Sequence, residues 1–125
     1  MIHGIGADIV AVKRLQDMWD RHGDRALARL LAPQEIADFA TAPDKGRFLA
    51  KRFAAKEAFG KALGTGIRPP ATLSAIAVTH DELGKPHLAC CGQLLKMLEN
   101  QGLVAHLSIS DEADYAIAYV ILERP

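Results

Sequence analysis

Two acids stand where their neighbours favour apolar company. Asp8 interrupts the run IGADIVAV (5–12), and Glu57 sits inside RFAAKEAFGKALGTG (52–66) with Phe53, Ala54 and Lys61 at helical neighbour positions. A carboxylate in such a setting is costly to bury without a cation or a metal. If Asp8 and Glu57 converge near a lysine-rich loop, they describe a magnesium–phosphate site. Mg²⁺ takes one or two carboxylates, several waters and substrate phosphate oxygens. Plainer readings stay open beside this one. Glu57 and Lys61 also have the spacing of an intrahelical ion pair, and Asp8 also suits a solvent-facing or edge position.

The helix carrying Glu57 ends at Gly64-Thr65-Gly66. Glycines there turn the chain sharply and present backbone N–H groups with no side chain in the way. With Lys56 and Lys61 they make a candidate phosphate seat. The order, helix then loop, is opposite to a P-loop, and no GxxxxGK[ST] occurs. Gly4-Ile5-Gly6 lacks the third glycine of a dinucleotide fingerprint. The five histidines form no metal-spacing cluster, and His106 with Ser108 and Ser110 lacks a nucleophile-elbow sequence.

The elements that must position these residues can be read from periodicity. IHGIGADIVAV is strand-like, with Ile5, Ala7 and Ile9 alternating against Gly6 and Asp8. VKRLQDMWDRH carries Val12, Leu15, Met18 and Trp19 at helical spacing up to the break at Gly23-Asp24. Short helices follow around Leu27, Leu30 and Leu31, and from Pro33 to about Thr41. Asp44 suits the cap of a long helix to Leu63, whose core side holds Phe48, Ala55, Phe59, Ala62 and Leu63. LSAIAVTH and PHLACC read as strands joined by DELGKP, GQLLKMLENQG as a helix closed by Gly102, and VAHLSIS and YAIAYVILE as two last strands. The class is α+β with a mostly antiparallel sheet and a long central helix. The last strand is apolar on both faces, so helices or another subunit must cover it.

At 125 residues and zero net charge, one domain (1–125) with no global pull toward nucleic acid or membrane is expected. Neutrality conceals a split. Residues 44–68 carry five positive charges in excess, which points to a specific anion or simply to a solvated charged face. The vicinal Cys90 and Cys91 do not have disulfide geometry and read as small core residues of a reducing compartment. The N-terminal run has no basic flank and is broken by Asp8, unlike a signal peptide or membrane span. The expected location is cytoplasmic.

GIGADIV (4–10) with Arg14, RFAAKEAFGKALGTG, and DELGKP (81–86) closely resemble the holo-acyl-carrier-protein synthases, and HLSISDEADYAIAYVILE is similar to that family's carboxyl end. The resemblance spans essentially the whole chain. It implies a 4′-phosphopantetheinyl transferase-like fold, and transfer of 4′-phosphopantetheine from coenzyme A to a serine of apo-acyl carrier protein, with release of adenosine 3′,5′-bisphosphate. By the same resemblance Asp8 and Glu57 are the magnesium ligands and, with Lys61, the catalytic set. Arg52, Lys61 and Gly64-Thr65-Gly66 match positions that hold the coenzyme, with Lys56 in the same motif. Arg14, Met18, Arg21 and Arg25 lie on or near the helix that docks the acidic carrier. The family's short members are typically homotrimers with active sites between subunits. Many relatives have histidine after Ser-Ile-Ser, where Asp111 stands here, so Asp111 is left outside the site.

Phosphoryl-centre transfer asks mainly for positioning and charge stabilisation. Glu57, Asp8 or a water on the metal are all candidates for the serine proton. Two other classes use the same residues: a magnesium-dependent nucleotide phosphohydrolase, and a non-catalytic coenzyme A or carrier-protein binding module.

Overall fold

The structure, a computed structural model, describes residues Met1–Pro125. Strand β1 (Ile2–Ala11) runs directly into α1 (Val12–His22), and Gly23 separates α1 from α2 (Asp24–Leu30). A 3₁₀ turn, Pro33–Glu35, leads into α3 (Ile36–Thr41), followed by the long α4 (Lys45–Leu63). Then come β2 (Ile76–His80), β3 (Pro86–Cys90), α5 (Gly92–Gln101), β4 (Val104–Asp111) and β5 (Tyr115–Glu123). Residues Leu73–Ala75, read as strand from sequence, form a 3₁₀ turn ahead of β2.

Helix α4 organises the rest. Asp44 caps it by accepting the Arg47 N–H at 3.0 Å, as its sequence position suggests. The apolar periodicity assigns α4 a single core side, but it is buried nearly all round. Leu49, Ala50, Ala54, Ala55, Ala58, Phe59 and Ala62 are each at most 4 % exposed. The strands β1 and β5 pack along one side of it and α1 along another. Small residues permit this closeness. A Cβ at Gly4 or Gly6 would overlap the carbonyl oxygens of Ala62 and Ala58, so Gly4-Ile5-Gly6 is where strand meets helix, backbone to backbone.

The antiparallel pairing falls into two sheets. One has the order β1-β5-β4, with Asp8 opposite Ala118 and Leu107 opposite Val120. The other is the β2-β3 hairpin. Strand β5 turns Ala116, Ala118, Val120 and Leu122 into the core. Its opposite side bears Tyr119, beside Ile5 and Ile9 of β1, and these three are 54 %, 71 % and 61 % exposed. This leaves an open apolar sheet face, as the two-sided apolarity of β5 implies.

Cys90 is partly buried and burial pushes its thiol up to about 11. Cys91 is exposed, contrary to its reading as a core residue, and neither is bridged. No helix is long and apolar enough to cross a membrane.

Candidate active site

Side-chain alternation on β1 decides the place of Asp8. It shares the α4-facing side with Gly6 and Val10, and its side chain is largely covered. There Lys61 Nζ donates to Asp8 Oδ1 at 3.2 Å and to the Ala7 carbonyl at 2.9 Å. Glu57 lies one turn before Lys61 on α4. Its carboxyl is held above the usual range first by burial and next by the negative charge of Asp8; Lys61 and Arg14 pull it back down. The two acids and Lys61 therefore share one site. Two carboxylates brought this close offer hard oxygen donors that suit a hard dication, which would relieve the repulsion between them.

Glu57 opens into a cavity of about 580 Å³, whose walls include Arg14, Met18, Arg25, Arg29 and Leu73. The Arg14 guanidinium lies 5.1 Å from the centre of the Phe53 ring, a cation–π contact that fixes it at the rim. Arg21 borders an adjoining hollow together with Arg14 and Met18. The four residues expected to meet a carrier protein thus line two hollows that share Arg14 and Met18. Trp19 does not take part: it packs edge-on against Phe39 at 5.0 Å in the core.

Arg52 and Lys56 depart from expectation. Lys56 is fully buried, and its ammonium donates to Glu35 Oε1 at 2.5 Å, the Leu30 carbonyl at 2.8 Å and the Leu73 carbonyl at 3.0 Å. All three donors are engaged, so none remains for a coenzyme phosphate. Burial lowers its pKa, with Glu35 opposing that shift and Arg52 adding to it. Arg52 Nη1 donates to Glu35 Oε2 at 3.1 Å and to the Val78 carbonyl. At 100° per residue Arg52 lies about 140° round the helix from Glu57 and about 180° from Lys61, so it cannot reach their site within one chain.

The glycine loop also differs from an open N–H cradle. Gly64, in the left-handed region at φ 88°, caps α4 by donating to the Gly60 and Lys61 carbonyls at 3.2 and 3.0 Å. Gly66 N–H donates to Gly60 as well, at 3.0 Å, which leaves only the Thr65 N–H without a backbone acceptor. The basic excess of 44–68 is similarly dispersed. Lys45 is held by the carbonyls of Phe39, Ala40 and Ala42. Arg47 is tied to Asp111 at 2.9 Å and to the carbonyls of Glu112 and Ala113.

A second cavity of about 220 Å³ lies on the far side of α4, lined by Arg47, Lys51, Arg52, His80, Phe48 and Ile109 among others. His80 is held below its usual pKa by burial first, then by Arg52 and Lys51. Asp111 bridges Arg47 and Lys51 at the edge of this group, at 2.9 and 3.7 Å. Glu35, Lys51 and His80 were not singled out by sequence. The one available signal was indirect: two cations four residues apart on an otherwise alanine-lined helix need an anion from elsewhere in the chain.

The sequence profile of the 4′-phosphopantetheinyl transferase superfamily matches residues 4–120. The chain belongs to that superfamily. Holo-[acyl-carrier-protein] synthase of Dechloromonas aromatica is 76 % identical to it over 124 residues, 99 % of each chain. The crystal structure of holo-[acyl-carrier-protein] synthase from Neisseria meningitidis superposes with a TM-score of 0.94 at 46 % identity, covering 98 % of this chain and 99 % of that one. The synthase from Bacillus anthracis, solved in complex with CoA (3′,5′-ADP), superposes with a TM-score of 0.84 at 35 % identity, covering 100 % and 99 %. Relatives of this identity over full length make the chain an enzyme, a phosphopantetheinyl transferase of the holo-[acyl-carrier-protein] synthase type.

Proposed function

We propose that residues 1–125 act as one domain that transfers 4′-phosphopantetheine from coenzyme A to a serine of apo-acyl carrier protein. The observation that carries this reading is the convergence of Asp8, Glu57 and Lys61 beside a roomy cavity ringed by Arg14, Met18 and Arg25. In the reaction the serine oxygen forms a bond to the phosphorus that carries the pantetheine arm. The bond from that phosphorus to the bridging pyrophosphate oxygen breaks, and adenosine 3′,5′-bisphosphate leaves with the electron pair. A magnesium ion held by Asp8 and Glu57 would supply charge neutralisation at the pyrophosphate.

The chain's own residues do the rest. Lys61 is half-exposed, so it can exchange Asp8 for a phosphate oxygen with little change in burial. That gives it the role of stabilising charge on the phosphates during displacement. Glu57, Asp8 or a water would take the serine proton. Arg14, Met18, Arg21 and Arg25 form the docking rim for an acidic carrier, with charge steering its approach. The Thr65 N–H is the loop donor left for the coenzyme.

We read the assembly as a homotrimer with active sites between subunits, working in the cytoplasm. The exposed face of Ile5, Ile9 and Tyr119 supports burial against a neighbour. The position of Arg52 supports composite sites: coenzyme A carries a 3′-phosphate as well as a pyrophosphate, and its second anion site would be the Arg47, Lys51 and Arg52 cavity of an adjacent subunit.

The test is to incubate the purified protein with apo-acyl carrier protein, coenzyme A and Mg²⁺ and to record the carrier's intact mass. A gain of one phosphopantetheine that EDTA abolishes is the expected result. Consumption of coenzyme A without a gain would replace the transferase with a hydrolase. Coenzyme A bound but unconsumed would leave a binding module.

A further inference from the structure

Glu35 is fully buried between α2 and α3, and no ligand in either cavity would touch it. Each of its oxygens accepts two hydrogen bonds. Oε1 takes the Ala32 N–H at 2.8 Å and Lys56 Nζ at 2.5 Å; Oε2 takes the Val78 N–H at 3.0 Å and Arg52 Nη1 at 3.1 Å. One carboxylate thus holds two cations of α4 and ties the 3₁₀ turn to β2. Arg52 is gripped from three directions: Glu35 below, the Val78 carbonyl beside it, and the Phe48 ring 4.3 Å from its guanidinium carbon. Its second terminal nitrogen meets no partner closer than Asp38 Oδ2, at 3.8 Å. Arg52 and Val78 both line the smaller basic cavity.

We propose that Glu35 is a positioning residue for anion binding in that cavity: it fixes the Arg52 guanidinium so that its remaining donors face the ligand. Supporting groups of this kind matter because a binding group must be held within about 0.5 Å of its productive place. The role rests on the reading above that the cavity takes a phosphate of the coenzyme.

Two substitutions in the same cluster separate positioning from mere stability. Glu35→Gln removes the charge that holds Arg52. Lys56→Met also opens the cluster, but it leaves Glu35 and Arg52 as a neutral pair in place. The measurement is calorimetric affinity for adenosine 3′,5′-bisphosphate, alongside thermal melting, on the assembled protein. Glu35→Gln is expected to weaken the bisphosphate roughly ten- to a hundredfold, the range for removing a supporting partner. Lys56→Met, although less stable than wild type, is expected to stay within about twofold, since it leaves the supporting partner of Arg52 in place. Equal weakening by both, or by neither, overturns the proposal.

If Glu35→Gln does not fold, Glu35→Asp carries the same test. It keeps the charge but is one methylene too short to serve both cations, and it should again weaken the bisphosphate more than Lys56→Met does. A wild type that transfers phosphopantetheine and binds the bisphosphate, with a Glu35 variant of equal affinity, defeats the positioning role alone. A wild type that neither transfers nor binds removes the functional reading and this role together.

Discussion

Helix α4 presents two lysines to two carboxylates, five residues apart, with opposite outcomes. Lys56 meets Glu35 at 2.5 Å, and both side chains are at most 1 % exposed. Lys61 meets Asp8 at 3.2 Å, with side-chain exposures of 54 % and 18 %. The first pair has every donor and acceptor engaged and no opening to solvent, so Lys56 can only hold the fold together. The second is incomplete: Asp8 has another acid nearby, and Lys61 has solvent on one side. Incompleteness is what a site needs if it is to trade protein partners for a ligand. The same motif, KEAFGK, supplies a lock and a working group according to which way each lysine faces.

That contrast can be attacked from both ends. The largest stability effect should come from Glu35→Leu, which leaves Arg52 and Lys56 buried without their anion. Breaking a buried pair this way costs about 3–5 kcal/mol, readable as a drop in the denaturation midpoint at unchanged slope. A loss under about 1 kcal/mol would mean that water already reaches the cluster. The largest kinetic effect should come from Glu57→Gln. Turnover falls by roughly a hundred- to a thousandfold, the scale for removing one preorganised electrostatic group, while the melting temperature stays close to wild type. Normal turnover with this variant at saturating Mg²⁺ would sink the metal-ligand role.

A smaller, more specific effect belongs to the rim. Arg14→Glu should raise the Michaelis constant for carrier protein about tenfold at low salt and much less at high salt, with turnover of bound carrier little changed. An unchanged constant at low salt contradicts the docking surface. The smallest effect is a titration. In metal-free protein the Glu57 carboxyl, followed by carbon-13 NMR, should titrate above the ordinary glutamate range. Asp8→Asn should shift it down and Lys61→Met shift it up, following the signs of those two charges. Because the folded value lies above the unfolded one, Glu57 stabilises the metal-free protein most below about pH 4.5, its ordinary value. That contribution is lost as pH rises through the folded pKa.

The parts of this arrangement that sequence discloses are those in which a residue contradicts its own element. Asp8 in an apolar strand and Glu57 beside Phe53 and Ala54 break the local pattern, and they turned out to share one site. The helix boundaries were equally legible, because Asp44, Gly64 and Gly102 are residues whose cap chemistry is local. What sequence could not disclose depends on distant partners. Glu35 is 17 residues from Arg52 and 21 from Lys56, so the locked Lys56 read as a phosphate ligand and the carboxylate behind Arg52 went unseen. The facing of β1 was obscured for a related reason. The large apolar residues are the exposed ones here: Gly4 and Gly6 lie against the helix, backbone to backbone, and Ile5 and Ile9 face outward. The splitting of the strands into two sheets depends on tertiary pairing, and no local signal in the chain specifies it.

The most direct test of the difference between the two lysines is the initial rate of holo-carrier formation, read by intact mass, for Lys61→Met and Lys56→Met at equal concentrations of folded protein. The account predicts that Lys61→Met melts like wild type yet transfers about a hundredfold more slowly, while Lys56→Met melts lower but, once folded, transfers at close to the wild-type rate. A Lys61→Met protein that keeps its rate, or a folded Lys56→Met protein that loses it, would contradict the division of labour along α4.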